Sequence, residues 1–327
     1  MNSDEPILQP TNRLTIRPLD STYSPIWECY KKQQGSFWIT EEIDLSEDVK
    51  QWNNLDENIK HFLKYILAFF ATSDEIVGEN LSTRFIQEIK VPEAIKCYNY
   101  QLMMEDVHSD VYSLFVEELI PEFEERNKIF NAINTMPVVS AKTRWAQKWI
   151  TSDESFATRL VAFACVEGIF FSGSFCAIDF LGSKKIMPGL RFANEFISRD
   201  EGQHTEFACI LYSYIVNKLS VEKFKEIMLE AVKIEKLFVT EALSVELIGI
   251  NKDMMCTHIE YCSNLLARDL GYEPLFPESM NCPFTFMKIR TLQTKTNFFE
   301  AKVSEYRKHG AMSSKEDMQF SIDDDDF

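Results

Sequence analysis

The chain has 327 residues, enough for one large or two ordinary domains with a filled core. Ten glycines and eleven prolines are few for this length, which disfavours a turn-rich all-β protein or a linker-like repeat and favours a helical body. With 34 Lys and Arg against 51 Asp and Glu, the formal charge of −17 repels phosphate backbones and anionic lipid, so neither nucleic acid nor a membrane surface is expected as a partner.

Residues 1–24 carry Pro6, Pro10 and Pro18 and no sustained period, and read as an extended N-terminal arm. Their acidic start lacks a basic region before an apolar core, so a cytoplasmic address is expected. Long helices are predicted over 55–90, 93–116, 159–181, 190–219 and 221–248. Val91-Pro92 punctuates the first pair, and Gly182-Ser183 with Pro188-Gly189 the second. Pro121, Pro137 and Thr151-Ser152-Asp153 mark the connection between the two halves. After Gly271 the sequence turns irregular, and from about Gly310 it becomes a polar, acidic, mobile tail. Eight cysteines without Cys-x-x-Cys spacing read as free thiols of a reducing compartment.

Residues 159–181 approach the length of a bilayer span but carry Glu167 near the centre. An ionised carboxylate in lipid costs about 2.5 kcal/mol or more, which places this helix inside a soluble protein.

Five histidines allow each to be weighed. Two follow a glutamate by three positions, Glu105 with His108 and Glu201 with His204, so each pair shares one face of a helix. A single such pair arises easily by chance. Upstream, Asp74 precedes Glu105 by 31 residues and Glu167 precedes Glu201 by 34, each acid following an apolar run and each interval holding one helix break. The two legs of each interval climb roughly 24 and 20 Å, or 22 and 18 Å, at about 1.5 Å per residue. Each hairpin therefore returns its Glu-x-x-His to the level of its single carboxylate. That pattern is the one known from ferritin-like di-iron carboxylate bundles, with Asp74 in one Glu place. Four carboxylates and two neutral imidazoles carry a charge of −4, which two divalent cations cancel, and the oxygen-rich set suits iron or manganese better than zinc. Solvated faces with an accidental spacing are the competing reading. Tyr112, one turn beyond His108, becomes a candidate for one-electron oxidation beside such metals.

Six stretches resemble the small, radical-bearing subunit of class I ribonucleotide reductase, in its eukaryotic and large-DNA-virus branch. They are Ser36-Phe37-Trp38 with Glu41-Glu42; Ser73-Asp74 with Glu79-Asn80-Leu81; residues 104–108; residues 166–175; residues 197–204; and residues 295–300. The similarity runs from about Trp27 to the C-terminus.

The resemblance implies an all-α, ferritin-like bundle over 25–300, with the di-metal site between two antiparallel helix pairs. It implies Asp74, Glu105 and His108 on one iron, and Glu167, Glu201 and His204 on the other. The two irons would be oxo-bridged when oxidised, and iron is expected rather than manganese. Tyr112 matches the radical tyrosine, and Phe171, Phe175 and Ile197 match the apolar pocket around it. Asp200 and Trp38 match the start of the radical-transfer route, and Tyr306 the tail tyrosine that relays it to a large catalytic subunit. A homodimer is implied too, as is a thioredoxin- or glutaredoxin-dependent holoenzyme that makes deoxyribonucleotides from ribonucleotides, with no reductase activity in the small subunit by itself.

In the tail, residues 301–327, Phe320 and Phe327 flank an acidic run, two aromatic anchors suited to a basic-rimmed groove on a partner, with a solubilising tail as the competing reading; the resemblance implies docking on the large subunit. Two other readings stay separable. A stand-alone di-iron oxidase or monooxygenase needs an open substrate pocket and no tail. A helical interaction protein or iron store gives no tyrosyl radical.

Overall fold

A computed structural model describes residues 5–287 apart from 14, 15, 18, 243 and 244. Among the described residues the regular structure is helical, with no strand. The helices are α1 (Ser24–Gly35), α2 (Ser46–Trp52), α3 (Glu57–Asn80), α4 (Pro92–Leu119), α5 (Phe123–Phe130), α6 (Pro137–Ile150), α7 (Phe156–Cys165), α8 (Ser172–Ser183), α9 (Pro188–Ser213), α10 (Val221–Leu237) and α11 (Lys252–Asp269).

Two hairpins form the centre. α3 packs along α4, and α7 and α8 pack along α9, with α4 and α9 in contact where the hairpins meet. α1 lies over α4 and α9, α6 fills the space between α3 and α7, and α10 with α11 backs the second hairpin. The apolar stretch Phe156–Ser183 is long and apolar enough to cross a membrane, yet 89% of its apolar window is buried in this core. All eight cysteines are free, five of them buried.

The helix starts follow local chemistry. Asp56, Ser155, Ser220 and Asn251 each accept a backbone N–H from the first turn of α3, α7, α10 and α11. α9 is capped from a distance: the buried Asp48 carboxylate of α2 accepts the N–H groups of Gly189 at 2.7 Å and Leu190 at 2.8 Å. A Cβ on Gly189 would lie 2.4 Å from the Asp44 carbonyl oxygen, so this close approach requires glycine. The described N-terminal residues are tied to the body. Glu5 accepts from Val216 and Asn217 N–H, Ile7 O from Lys90 N–H, and Arg13 makes a forked pair with the buried Glu93.

Several boundaries differ from the sequence reading. The predicted 55–90 helix breaks its α pattern in a π turn at Leu81–Phe85, and the 221–248 helix does so at Phe238–Ala242. The predicted 190–219 helix ends at Ser213. The connection between the halves is itself helical in α5 and α6, and α11 occupies a stretch to which no helix was assigned. α5 is short, at eight residues, and rests on tertiary packing, whereas α6 and α11 are full amphipathic helices of 14 and 18 residues.

Candidate metal centre

Asp74 projects from α3, Glu105 and His108 from α4, and Glu201 and His204 from α9. Glu167 sits in a π turn, Val166–Phe170, that joins α7 to α8. A π turn widens the helix and re-aims a side chain, and such turns cluster at functional sites. The six side chains come together, none more than 3% exposed. Ligand-type atoms of Asp74, Glu105 and His108 lie within 4.8 Å of one another, as do those of Glu105, Glu167, Glu201 and His204. Glu105 belongs to both groups, so the geometry is that of two adjacent cation positions with this carboxylate between them.

Both imidazoles turn Nδ1 inward. His108 Nδ1 lies 3.3 Å from Glu105 Oε2 and 3.1 Å from Glu201 Oε1; His204 Nδ1 lies 3.0 Å from Glu105 Oε1 and 3.1 Å from Glu201 Oε2. Both oxygens of Asp74, and Oε2 of Glu167, are buried with no hydrogen-bond donor. A buried ionised carboxylate without a partner costs several kcal/mol, so this donor set fits a pair of divalent cations. The local electrostatics point the same way. Burial, then the Glu105 charge, raises the Asp74 carboxyl, and burial with the Glu201 charge raises Glu167. Burial works against protonated imidazoles, yet hydrogen bonds to Asp200, Glu105 and Glu201 raise His108, and the charges of Glu105 and Glu201 raise His204. The cluster draws in positive charge.

One member was missed by the sequence reading. Gln101, one turn before Glu105, donates through Nε2 to Glu167 Oε1 at 3.3 Å and to Glu105 Oε1 at 3.5 Å. Its four-residue offset from Glu105 was the available signal.

Outside the cluster, Asp200 Oδ2 accepts the Trp38 indole N–H at 2.6 Å and lies 3.4 Å from His108 Nε2. The indole and imidazole rings stack at 5.9 Å and 24°. Arg199 donates twice to Asp200 Oδ1 and once to the Ser36 carbonyl, holding the carboxylate in line. Burial alone would raise the Asp200 carboxyl, but hydrogen bonding to His108 and the Arg199 charge bring it below its ordinary value.

Tyr112, 2% exposed, stacks on Phe70 at 4.6 Å and 28°. Phe70 in turn meets Phe171 at 5.7 Å and Phe175 at 5.6 Å, and Ile197 is buried on α9. The sequence reading omitted Phe70, although it lies four before Asp74. Burial, then the Asp74 charge, raises the Tyr112 phenol, which is therefore neutral. A cavity of about 680 Å³ opens beside Glu167 and Glu201, walled in part by Ser172, Phe175, His258 and Leu266. Tyr306, Phe320 and Phe327 lie outside the described residues.

The fold and this buried carboxylate–imidazole cluster define a ferritin-like di-metal carboxylate protein. A family model for the ribonucleotide reductase small chain matches residues 16–283. Over 328 residues the protein is 49% identical to a ribonucleoside-diphosphate reductase small chain of Arabidopsis thaliana, the match covering 99% of the present sequence and 95% of the plant one. It is 48% identical over 322 residues to the small chain of Vaccinia virus (strain Ankara), covering 98% and 99%. Among solved structures it resembles the Rnr4 homodimer of Saccharomyces cerevisiae, with a TM-score of 0.80, 33% identity and coverage of 90% and 94%. It shares the fold of dimanganese(II)-NrdF from Streptococcus sanguinis, with a TM-score of 0.68, 21% identity and coverage of 84% and 96%.

The chain belongs to the ribonucleotide reductase small-chain family. It serves as the small subunit of a ribonucleoside-diphosphate reductase, whose large subunit is its partner, and a metal-generated tyrosyl radical is that family's function.

Proposed function

We propose that Asp74, Glu105, His108, Glu167, Glu201 and His204 hold two iron ions, that Tyr112 bears the radical, and that Asp200 and Trp38 begin the route to the large subunit. The observation that carries this reading is the bonded series from the cluster outward: His108 faces the carboxylates with Nδ1 and Asp200 with Nε2, and Asp200 accepts the Trp38 indole N–H. Iron at this site supplies, with dioxygen, the oxidising power for a one-electron oxidation.

The protein's own residues do the rest. Asp200 fixes the tautomer and plane of His108, as a carboxylate behind a metal-bound imidazole does. The same oxygen accepts from Trp38, so a proton shift along this hydrogen-bonded pair accompanies electron movement through the stacked indole. Tyr112 starts neutral and must lose a proton with its electron. The apolar wall of Phe70, Phe171, Phe175 and Ile197 keeps reductants and water from the resulting phenoxyl.

Iron rather than manganese, a cytoplasmic homodimer, and docking by residues 301–327 through Tyr306, Phe320 and Phe327 complete the proposal. The reducing cytoplasm is supported by eight free thiols, and the dimer by the Rnr4 homodimer of related fold. Electron paramagnetic resonance after loading with ferrous iron and oxygen tests the core of it. A tyrosyl signal is expected in the wild type and none in Tyr112→Phe; a signal that persists in the variant overturns the assignment. Loss of reductase activity with the large subunit on deleting residues 321–327 is expected if the tail docks.

A further inference from the structure

A buried ion pair lies outside the metal cluster. Lys142 of α6 is 1% exposed and Glu235 of α10 is fully buried, with Nζ 2.5 Å from Glu235 Oε2. The ammonium also donates to the Phe170 carbonyl at 2.6 Å and sits over the rings of Phe69 at 3.8 Å and Phe238 at 3.6 Å. The other Glu235 oxygen accepts the Gly173 N–H at 3.1 Å.

The two partners therefore grip the backbone on either side of Phe171 and Ser172. Phe170 is the last residue of the π turn carrying Glu167, and Gly173 lies in the first turn of α8. A Cβ on Gly173 would come within 2.7 Å of Glu235 Oε1 and 2.4 Å of a Val239 methyl, so the grip depends on glycine there. Phe171, held between the two anchors, packs on Phe69, Phe70 and Phe175.

A buried pair of this kind contributes little net stability, because desolvating both charges offsets most of their attraction, and replacing both by apolar groups of similar volume is often neutral. Its role must then lie in geometry. We infer that Lys142 and Glu235 are positioning residues that set the π turn, and through it place the Glu167 carboxylate and the Phe171 wall of the Tyr112 pocket. This rests on the metal-ligand reading of Glu167 given above.

The test uses full-length, metal-free protein and Mn²⁺ as the probe. The double variant Lys142→Met/Glu235→Leu keeps the volume, removes both charges, and is expected to melt within a few degrees of wild type. In it, amide hydrogen exchange at residues 167–173 should accelerate at least tenfold, and Mn²⁺ binding should weaken at least tenfold. Gly173→Ala should speed the same amides. Wild-type exchange at 167–173 in a folded double variant overturns the proposal, and so does unchanged Mn²⁺ affinity where Glu167→Gln weakens it. Should Glu167→Gln leave Mn²⁺ binding intact, the ligand reading of Glu167 fails separately, and the exchange rates still decide whether the pair holds the turn.

Discussion

The two hairpins carry nearly the same motif and are not equivalent. On α4, the residue one turn beyond the histidine is Tyr112; on α9 it is Ala208, buried at 1% exposure. The residue before the glutamate on α9 is Asp200, which reaches across to His108; on α4 it is Met104, whose thioether offers no charge to an imidazole. The first hairpin thus supplies the oxidisable ring and the second supplies the carboxylate that serves the first hairpin's histidine. The single acids differ as well. Asp74 projects from regular helix, with its π turn seven residues later, whereas Glu167 lies inside a π turn held by Lys142 and Glu235. A duplicated spacing can therefore build a near-symmetric buried cluster whose surroundings differ from one hairpin to the other.

The sharpest way to break this comparison is Tyr112→Phe, which should remove the tyrosyl signal and with it all reductase activity in the presence of the large subunit, while two metal ions still bind by elemental analysis. Retained activity would mean that the radical does not reside on Tyr112.

Next come the ligands. Glu105 is common to both ligand groups, so Glu105→Gln should weaken both metal positions, whereas Asp74→Asn should weaken one. Titration with Fe²⁺ under anaerobic conditions distinguishes the two outcomes, and equal loss in both variants would contradict the sharing. Binding must displace protons from Asp74, Glu167 and the two imidazoles, whose affinities for protons are all raised, so metal affinity should rise with pH. Proton release on binding, measured in weakly buffered solution, checks the sign.

Asp200→Asn keeps the shape but removes the charge behind His108, and should lower turnover by about 10- to 100-fold. The corresponding change on the other hairpin, Met104→Leu, should leave turnover near wild type, and comparable losses in both would erase the asymmetry.

A separate effect concerns stability rather than turnover. Burial lowers His258 to about 4, from an ordinary value near 6.5. Between these values the unfolded chain binds more protons than the folded one, so stability falls as pH drops from about 6.5 toward 4, by up to about 3 kcal/mol. His258→Leu should flatten that part of the pH–stability curve measured by urea unfolding.

Much of the centre was legible in the residue order. The i,i+3 glutamate–histidine pairs, the 31- and 34-residue intervals and the intervening breaks are periodic features of long helices, and α3, α4, α9 and the π turn between α7 and α8 bring those residues together. One-turn spacing from His108 made Tyr112 a candidate, and the family resemblance supplied its expected role. The π turn under Glu167 was not legible, because a five-residue widening leaves no residue-type signature in an otherwise apolar helix. Gln101 and Phe70 were within reach, each four residues from a ligand, but many residues hold such offsets without a role.

By itself, then, the sequence determined an all-helical body, two acid-plus-Glu-x-x-His sets at matching heights, and a phenol one turn from one imidazole, since all of these follow from helical rise and period. Only the tertiary structure decided that Glu105 lies against both histidines, that Asp200 of one hairpin backs the histidine of the other, and that Lys142 and Glu235 close on the π turn. Asp200 and His108 stand 92 positions apart, and the other relations likewise join separate helices. They exist only once buried charges have been forced to find partners across the core.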